Sequence, residues 1–189
     1  MINQRVIFRN NGDFFITNLG AMTAAKDLRQ YPGKERFPIR VIRYRGTSRI
    51  ETQIEKEFSQ GYGIVFQSLV QYIMEQLPTS EVIQDALRKN MPVYPEIAVR
   101  ELVANALIHR DFLITSTNPM IEIFSDRMEV INPGMLIPTV RVERIIDLAP
   151  ESRNEIFASL MRRMGIAAVE DHLLGRETFR YPRRPKTRK

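Results

Sequence analysis

Arg100-Glu101-Leu102-Val103-Ala104-Asn105-Ala106-Leu107-Ile108-His109-Arg110-Asp111 is the stretch on which the reading of this chain turns. At helical spacing Glu101, Asn105 and His109 step round by about 40° each, so they form one polar stripe. Ile97, Ala98, Leu102 and Ile108 flank the stripe, and Val99, Val103, Ala106 and Leu107 make the far side apolar. A helix that is apolar nearly all round is a buried one. Burying a carboxylate, an amide and an imidazole without partners costs several kcal/mol, on the order of 1–3 for each lost bond. The stripe therefore needs either an internal polar network or a ligand. Pro95 suits the first turn of this helix.

Working outward, Ile39–Tyr44 alternates apolar residues with Arg40 and Arg43, the pattern of a half-buried strand. Gly46 marks a turn, and residues 50–58 return as a second strand. Arg40, Arg43 and Arg49 are expected on the exposed face of that hairpin, as candidate phosphate contacts or as solvated charge. A short strand at residues 14–17 and a helix from about Ala21 to Arg29 precede it. A long helix is expected from Tyr62 to Leu77, and Pro78-Thr79-Ser80 ends it as a natural boundary. Residues 81–89 fit a helix or a strand, and the short Pro-rich connection to the next helix favours a strand. Ile121–Phe124 and Met128–Ile131 read as two strands about a Ser125-Asp126-Arg127 turn, broken by Asn132-Pro133-Gly134. A short helix is expected at 142–148. Ser152 with Glu155 makes a capping box for a helix to about Met164, with Gly165 beyond its end. Helices alternating with antiparallel hairpins define an α+β class. The expected architecture is a mixed or antiparallel sheet with helices packed on one face.

Composition sets the outer bounds. Of 189 residues, 43% are hydrophobic and 26% charged, which is ordinary for a globular protein. Zero cysteines exclude disulfides and thiolate metal sites, and two histidines leave little for zinc. No apolar run is long enough to span a membrane and the start shows no signal-peptide core, so a cytoplasmic location is expected. Of the net charge of +6, the residues beyond Gly165 carry +4, with seven basic residues against three acids. Residues 167–189 are expected to be a basic, disordered tail, with Arg183 and Arg184 its candidate nucleic-acid contacts.

The spacing Glu101-x-x-x-Asn105-Ala106-x-x-His109 resembles the N-box of the GHKL ATPase superfamily, which includes histidine kinases and type II topoisomerases. More closely, the run YPEIAVRELVANALIHRDF from Tyr94 resembles the divergent GHKL-like domain of RecG-helicase-related transcriptional regulators. IEIFSDRMEVINPG (Ile121–Gly134) and SRNEIFASLMRRMGI (Ser152–Ile166) continue the likeness. Residues 13–28 and 38–47 resemble the segment joining that domain to a preceding Schlafen/AlbA-like, nucleic-acid-associated module. The resemblance implies three parts: residues 1–78 as the end of that module, 79–166 as a GHKL-like α/β sandwich binding ATP, and 167–189 as the tail. It also implies truncation at both ends.

The same resemblance assigns roles. Asn105 would hold Mg²⁺ through a hard carbonyl oxygen. Glu101 would stand where the topoisomerase branch keeps its general base. His109 would contact phosphate. Asn132 takes the place of the adenine-binding Asp of the Asp-x-Gly-x-Gly box, and Gly134 is the one glycine kept. The glycine-rich phosphate loop expected after Ile166 is missing, which reads as a truncated or frame-shifted end and implies at most a weak ATPase. Three functions follow: a nucleotide-binding regulator with little or no hydrolysis, a structural or dimerising scaffold, or a fragment that binds DNA weakly through its arginines.

Overall fold

The computed structural model describes residues 6–84, 87–134, 153–166 and 176–180, with side chains omitted at 80–91 and 176–180. The chain opens with a hairpin of β1 (Ile7–Asn10) and β2 (Asp13–Ile16). Its turn is Asn11-Gly12, both at positive φ (50° and 98°), the conformation that matches the twist of a two-residue hairpin. Helix α1 (Asn18–Ala24) follows, capped by Thr17, whose hydroxyl accepts from the Gly20 N–H at 3.1 Å. The helix expected at 21–29 thus starts three residues earlier. It stops at Ala25, and Leu28–Gln30 forms only a 3₁₀ turn, capped by the Asp27 carboxylate.

β3 (Ile39–Tyr44) and β4 (Thr52–Phe58) form the expected hairpin, and α2 (Tyr62–Gln76) the expected long helix. Where one strand was expected at 81–89, two stand: β5 (Thr79–Gln84) and β6 (Leu87–Pro92), paired as a separate hairpin. Helix α3 (Glu96–Ile108) carries the polar stripe, with Pro95 as its N-cap and His109 as its C-cap. β7 (Met120–Ile123) and β8 (Arg127–Ile131) then pair antiparallel. Helix α4 (Glu155–Arg163) has Asn154 as its N-cap, and Gly165 lies beyond its end at φ 68°. The expected cap Ser152 and the helix at 142–148 lie outside the described residues. β9 (Arg176–Arg180) closes the list of elements.

One five-stranded mixed sheet organises these parts, in the order β4-β3-β7-β8-β9. β3 runs parallel to β7, Val41 opposite Ile121, and the other pairs are antiparallel. The expected boundary at residue 78 therefore falls within a sheet built from both sides of it. The tail expected to be disordered supplies the edge strand β9, paired with β8 over five residues. That pairing satisfies backbone groups that would otherwise make β8 an open edge.

Alternation along the strands decides the two faces. Ile39, Val41, Ile121, Ile123, Met128 and Val130 point to one face and join Val65, Leu69 and Ile73 of α2 and Val99, Leu102 and Val103 of α3 in one core. Residues 102–108 of α3 are buried without a break, because the core encloses the helix and Phe157 of α4 belongs to that core too. The opposite face carries a smaller cluster of Ile42, Tyr44 and Phe124. Arg40 and Arg43, three residues apart with regular pairing between them, point to opposite faces and not to one basic surface. Arg40 pairs with Glu55 at 2.5 Å. Among the described residues no helix is long and apolar enough to cross a membrane.

Candidate functional site

The candidate site grows from the C-terminal end of α3. Asn105 lies on the last full turn and is 3% exposed, and His109 is buried at the C-cap, its N–H bonded to the Asn105 carbonyl at 2.9 Å. Glu101, a turn earlier, is half-buried. The stripe is therefore graded along the helix, from a partly open carboxylate to a sealed imidazole.

Arg110 is fully buried and acts as a clamp for the chain leaving the helix. Its Nη2 donates to the carbonyls of Arg36, Ile114 and Thr117 at 3.0–3.2 Å, and its guanidinium lies 4.3 Å from the Phe37 ring centre. Burial lowers its pKa from the usual arginine range, partly offset by Tyr62 and Asp111. The same burial pushes the Tyr62 phenol up to about 12, while its hydroxyl donates to the Phe37 carbonyl at 2.8 Å.

The turn after β8 docks on this exit. The Asp111 N–H donates to the Pro133 carbonyl at 2.9 Å. Gly134 has φ 135°, and a Cβ placed there would lie 3.0 Å from the Asp111 Cβ, so only glycine fits without movement. The Asp111 carboxylate pairs with Arg153, and the Asn154 amide donates to the carbonyls of Ile108 (2.6 Å) and Arg110 (2.7 Å). Asn154 is thus spent on the end of α3 rather than on its own helix. Sequence reasoning missed Arg110, Asp111, Arg153 and Asn154, and no pattern short of the folded contacts marks them.

The residues singled out from the sequence divide clearly. Asn105 and Asn132 each keep a buried side-chain carbonyl oxygen with no hydrogen-bond partner among the described residues. Asn132 and Gly134 sit on the turn tied to the α3 exit, so the two boxes expected to face one ligand belong to neighbouring segments. Arg40 and Arg43 lie away on β3, and Arg183 and Arg184 lie outside the described residues. No cluster of three His, Cys, Asp or Glu side chains that could hold a metal occurs among the described residues. A cation here would have the Asn105 oxygen as its protein ligand and would take the rest from phosphate and water, as Mg²⁺ commonly does.

Two cavities lined by described residues lie apart from the stripe. One, of about 720 Å³, is a mostly apolar cleft between the start of α1 (Asn18, Leu19, Met22) and the start of α4 (Ile156, Phe157), beside Phe112. The other, of about 210 Å³, lies where β3 leaves the sheet near the end of α2.

Fold and site together define an α+β module whose mixed sheet carries its helices on one face. Residues 116–177 match a domain family described as "Putative ATP-dependent DNA helicase recG C-terminal". The match takes in β7, β8, Asn132, Gly134 and α4, spans less than half of the chain, and begins after α3. The chain is thus similar over that stretch to an ATPase-like module of RecG-related proteins. Among solved structures, the DIP2311 protein from Corynebacterium diphtheriae shares the fold, with a TM-score of 0.68 and 19% identity over 85% of this chain. The chain spans 31% of that structure's length. No match is found among curated proteins.

Proposed function

We propose that this chain is the GHKL-like nucleotide-binding module of a RecG-related transcriptional regulator, taking Mg²⁺-ATP with little or no hydrolysis. The observation that carries the reading is the buried side-chain oxygen of Asn105, a residue 3% exposed, which has no hydrogen-bond partner among the described residues. Folding removes that acceptor from water at a cost of about 1–3 kcal/mol, which a metal–phosphate ligand would offset. Asn132 also has a buried acceptor, which on the family resemblance would accept from an adenine amino group. The likeness of residues 116–177 to the ATPase-like family supports the same assignment.

Low turnover follows from the chemistry left to the chain. Glu101 is the candidate base for water, but the glycine-rich phosphate loop has no counterpart in the sequence. Without such a loop, fewer backbone donors would stabilise charge on a departing phosphate. Contact with DNA through the basic residues would be weak, salt-sensitive and indifferent to sequence.

Titration calorimetry of the purified chain with Mg²⁺-ATP tests the proposal. Binding that needs Mg²⁺ and vanishes in Asn105→Ala is expected, together with a rise in Tm on ligand addition. No heat and no thermal shift would leave the scaffold reading in its place.

A further inference from the structure

We infer that the 210 Å³ cavity at the exit of β3 is a phosphate-binding site organised by Arg43. The cavity is lined by Arg43, Arg45, Gln53, Gln76 and Ser125 over a floor of Ile123 and Phe124. Other arginines of the hairpin and of β8 have acidic partners: Arg40 with Glu55, Arg45 with Glu51, Arg49 with Glu122 and Glu129, and Arg127 with Asp126 and Glu129. Arg43 is the exception. It is half-buried, points to the helix-covered face, and among the described residues makes no hydrogen bond or ion pair with a carboxylate.

A half-buried guanidinium without a counter-charge is a poor way to hold a sheet together, and a good way to hold an anion. The carbonyl end of α2, at Gln76 and Leu77, favours a cation nearby. Its partial charge of about one half does not neutralise Arg43, and Arg45 adds a second guanidinium at the mouth. Two acids next to lining residues are committed elsewhere, Glu51 to Arg45 at 3.0 Å and Asp126 to Arg127 at 2.8 Å. The Arg45–Glu51 pair is exposed on both sides, so its strength is small and Arg45 can turn to a ligand. The Gln53 and Gln76 amides supply neutral donors at the rim. At this volume the site takes a single phosphate group and excludes a nucleoside, which separates it from the proposed ATP site. That phosphate is either free or one link of a nucleic-acid backbone.

The test compares the full chain with Arg43→Gln and Arg43→Lys, using inorganic phosphate as probe against chloride at equal ionic strength. Phosphate is expected to raise Tm and to broaden its own ³¹P resonance with the wild-type chain. The response should vanish in Arg43→Gln, weaken in Arg43→Lys, and persist in Asn105→Ala. A second arm uses short single-stranded DNA. A salt slope that falls by about one in Arg43→Gln identifies the backbone as the phosphate's source. An unchanged slope beside a lost phosphate response identifies free phosphate. A phosphate response equal in wild type and Arg43→Gln, or no broadening with wild type, overturns the site and leaves Arg43 as a charge capping α2.

Discussion

Glu122 and Glu129 are direct cross-strand partners on β7 and β8, both buried, and one arginine holds them together. Arg49, from the loop after β3, donates to both Glu122 oxygens (2.8 and 2.5 Å) and to Glu129 at 3.2 Å. Tyr44 donates to Glu122 at 3.0 Å, and Arg127 donates to the second oxygen of Glu129 at 2.7 Å. Like charges directly opposite on one sheet face are destabilising, so the arrangement depends on the arginine. It also pins the 45–51 loop across the sheet face that the helices leave open.

Arg49→Ala should therefore destabilise the chain by about 2–4 kcal/mol, since it strands Glu122 without its bidentate partner while Glu129 keeps Arg127. Half of the Arg49 side chain is exposed, which puts the expectation below that for a fully sealed pair. Urea unfolding would read the loss. Adding Glu122→Gln should restore part of it, and failure of the double variant to recover would show that the loop, not the charge, carries the effect.

Much of the frame was legible in the sequence because local signals and tertiary needs agreed there. The alternation of Ile39–Tyr44, the apolar periodicity of α2 and the turn between β7 and β8 fall within a residue or two of the structure. The Asn11-Gly12 turn carries a strong hairpin signal, but its strands have four residues each, too few for alternation to mark them. β9 was hidden for another reason: Arg176-Glu177-Thr178-Phe179-Arg180 reads as solvated tail, and only the open edge of β8 makes it a strand. In the candidate site, Asn105 and Asn132 were visible as residue types out of place. The clamp of Arg110, Asp111 and Asn154 was not, since its partners are backbone carbonyls, which leave no mark in a side-chain pattern.

Gly134→Ala tests how firmly the Asn132-Pro133-Gly134 turn is seated. The φ of 135° is hostile to an L side chain, and the new methyl would press on Asp111 at 3.0 Å. A loss of about 1–3 kcal/mol is expected. Hydrogen exchange should locate it at the Asp111 amide, whose bond to the Pro133 carbonyl would loosen. Protection unchanged at that amide would show that the turn adapts without leaving the helix exit.

Tyr62 is one source of alkaline sensitivity, beside Tyr94, whose pKa burial also raises. The folded pKa of Tyr62 is about 12 against an ordinary value near 10, because burial penalises the phenolate. Between about pH 10 and 12 the unfolded chain loses this proton and the folded chain keeps it, so stability falls as pH rises through that window. Below pH 10 the phenol is protonated in both states and adds no slope. Tyr62→Phe should flatten the alkaline decline, while lowering neutral-pH stability by about 1–3 kcal/mol through the lost bond to the Phe37 carbonyl. Equal alkaline slopes in the two proteins would exclude Tyr62 as a source.

Asn105→Leu separates ligand use from structure in a way that Asn105→Ala does not. Leucine nearly matches asparagine in volume and removes the buried acceptor, so no cavity follows and the desolvation cost disappears. The variant should then be more stable than wild type by about 1–3 kcal/mol in the absence of nucleotide. It should also lose the Mg²⁺-ATP-dependent rise in Tm, because the protein oxygen proposed for the cation is gone. That opposition, higher intrinsic stability with no ligand response, is the signature of a residue kept for binding. If the variant is instead less stable, the Asn105 amide is doing structural service through its N–H₂ group. The stripe on α3 would then be part of the core's own polar network.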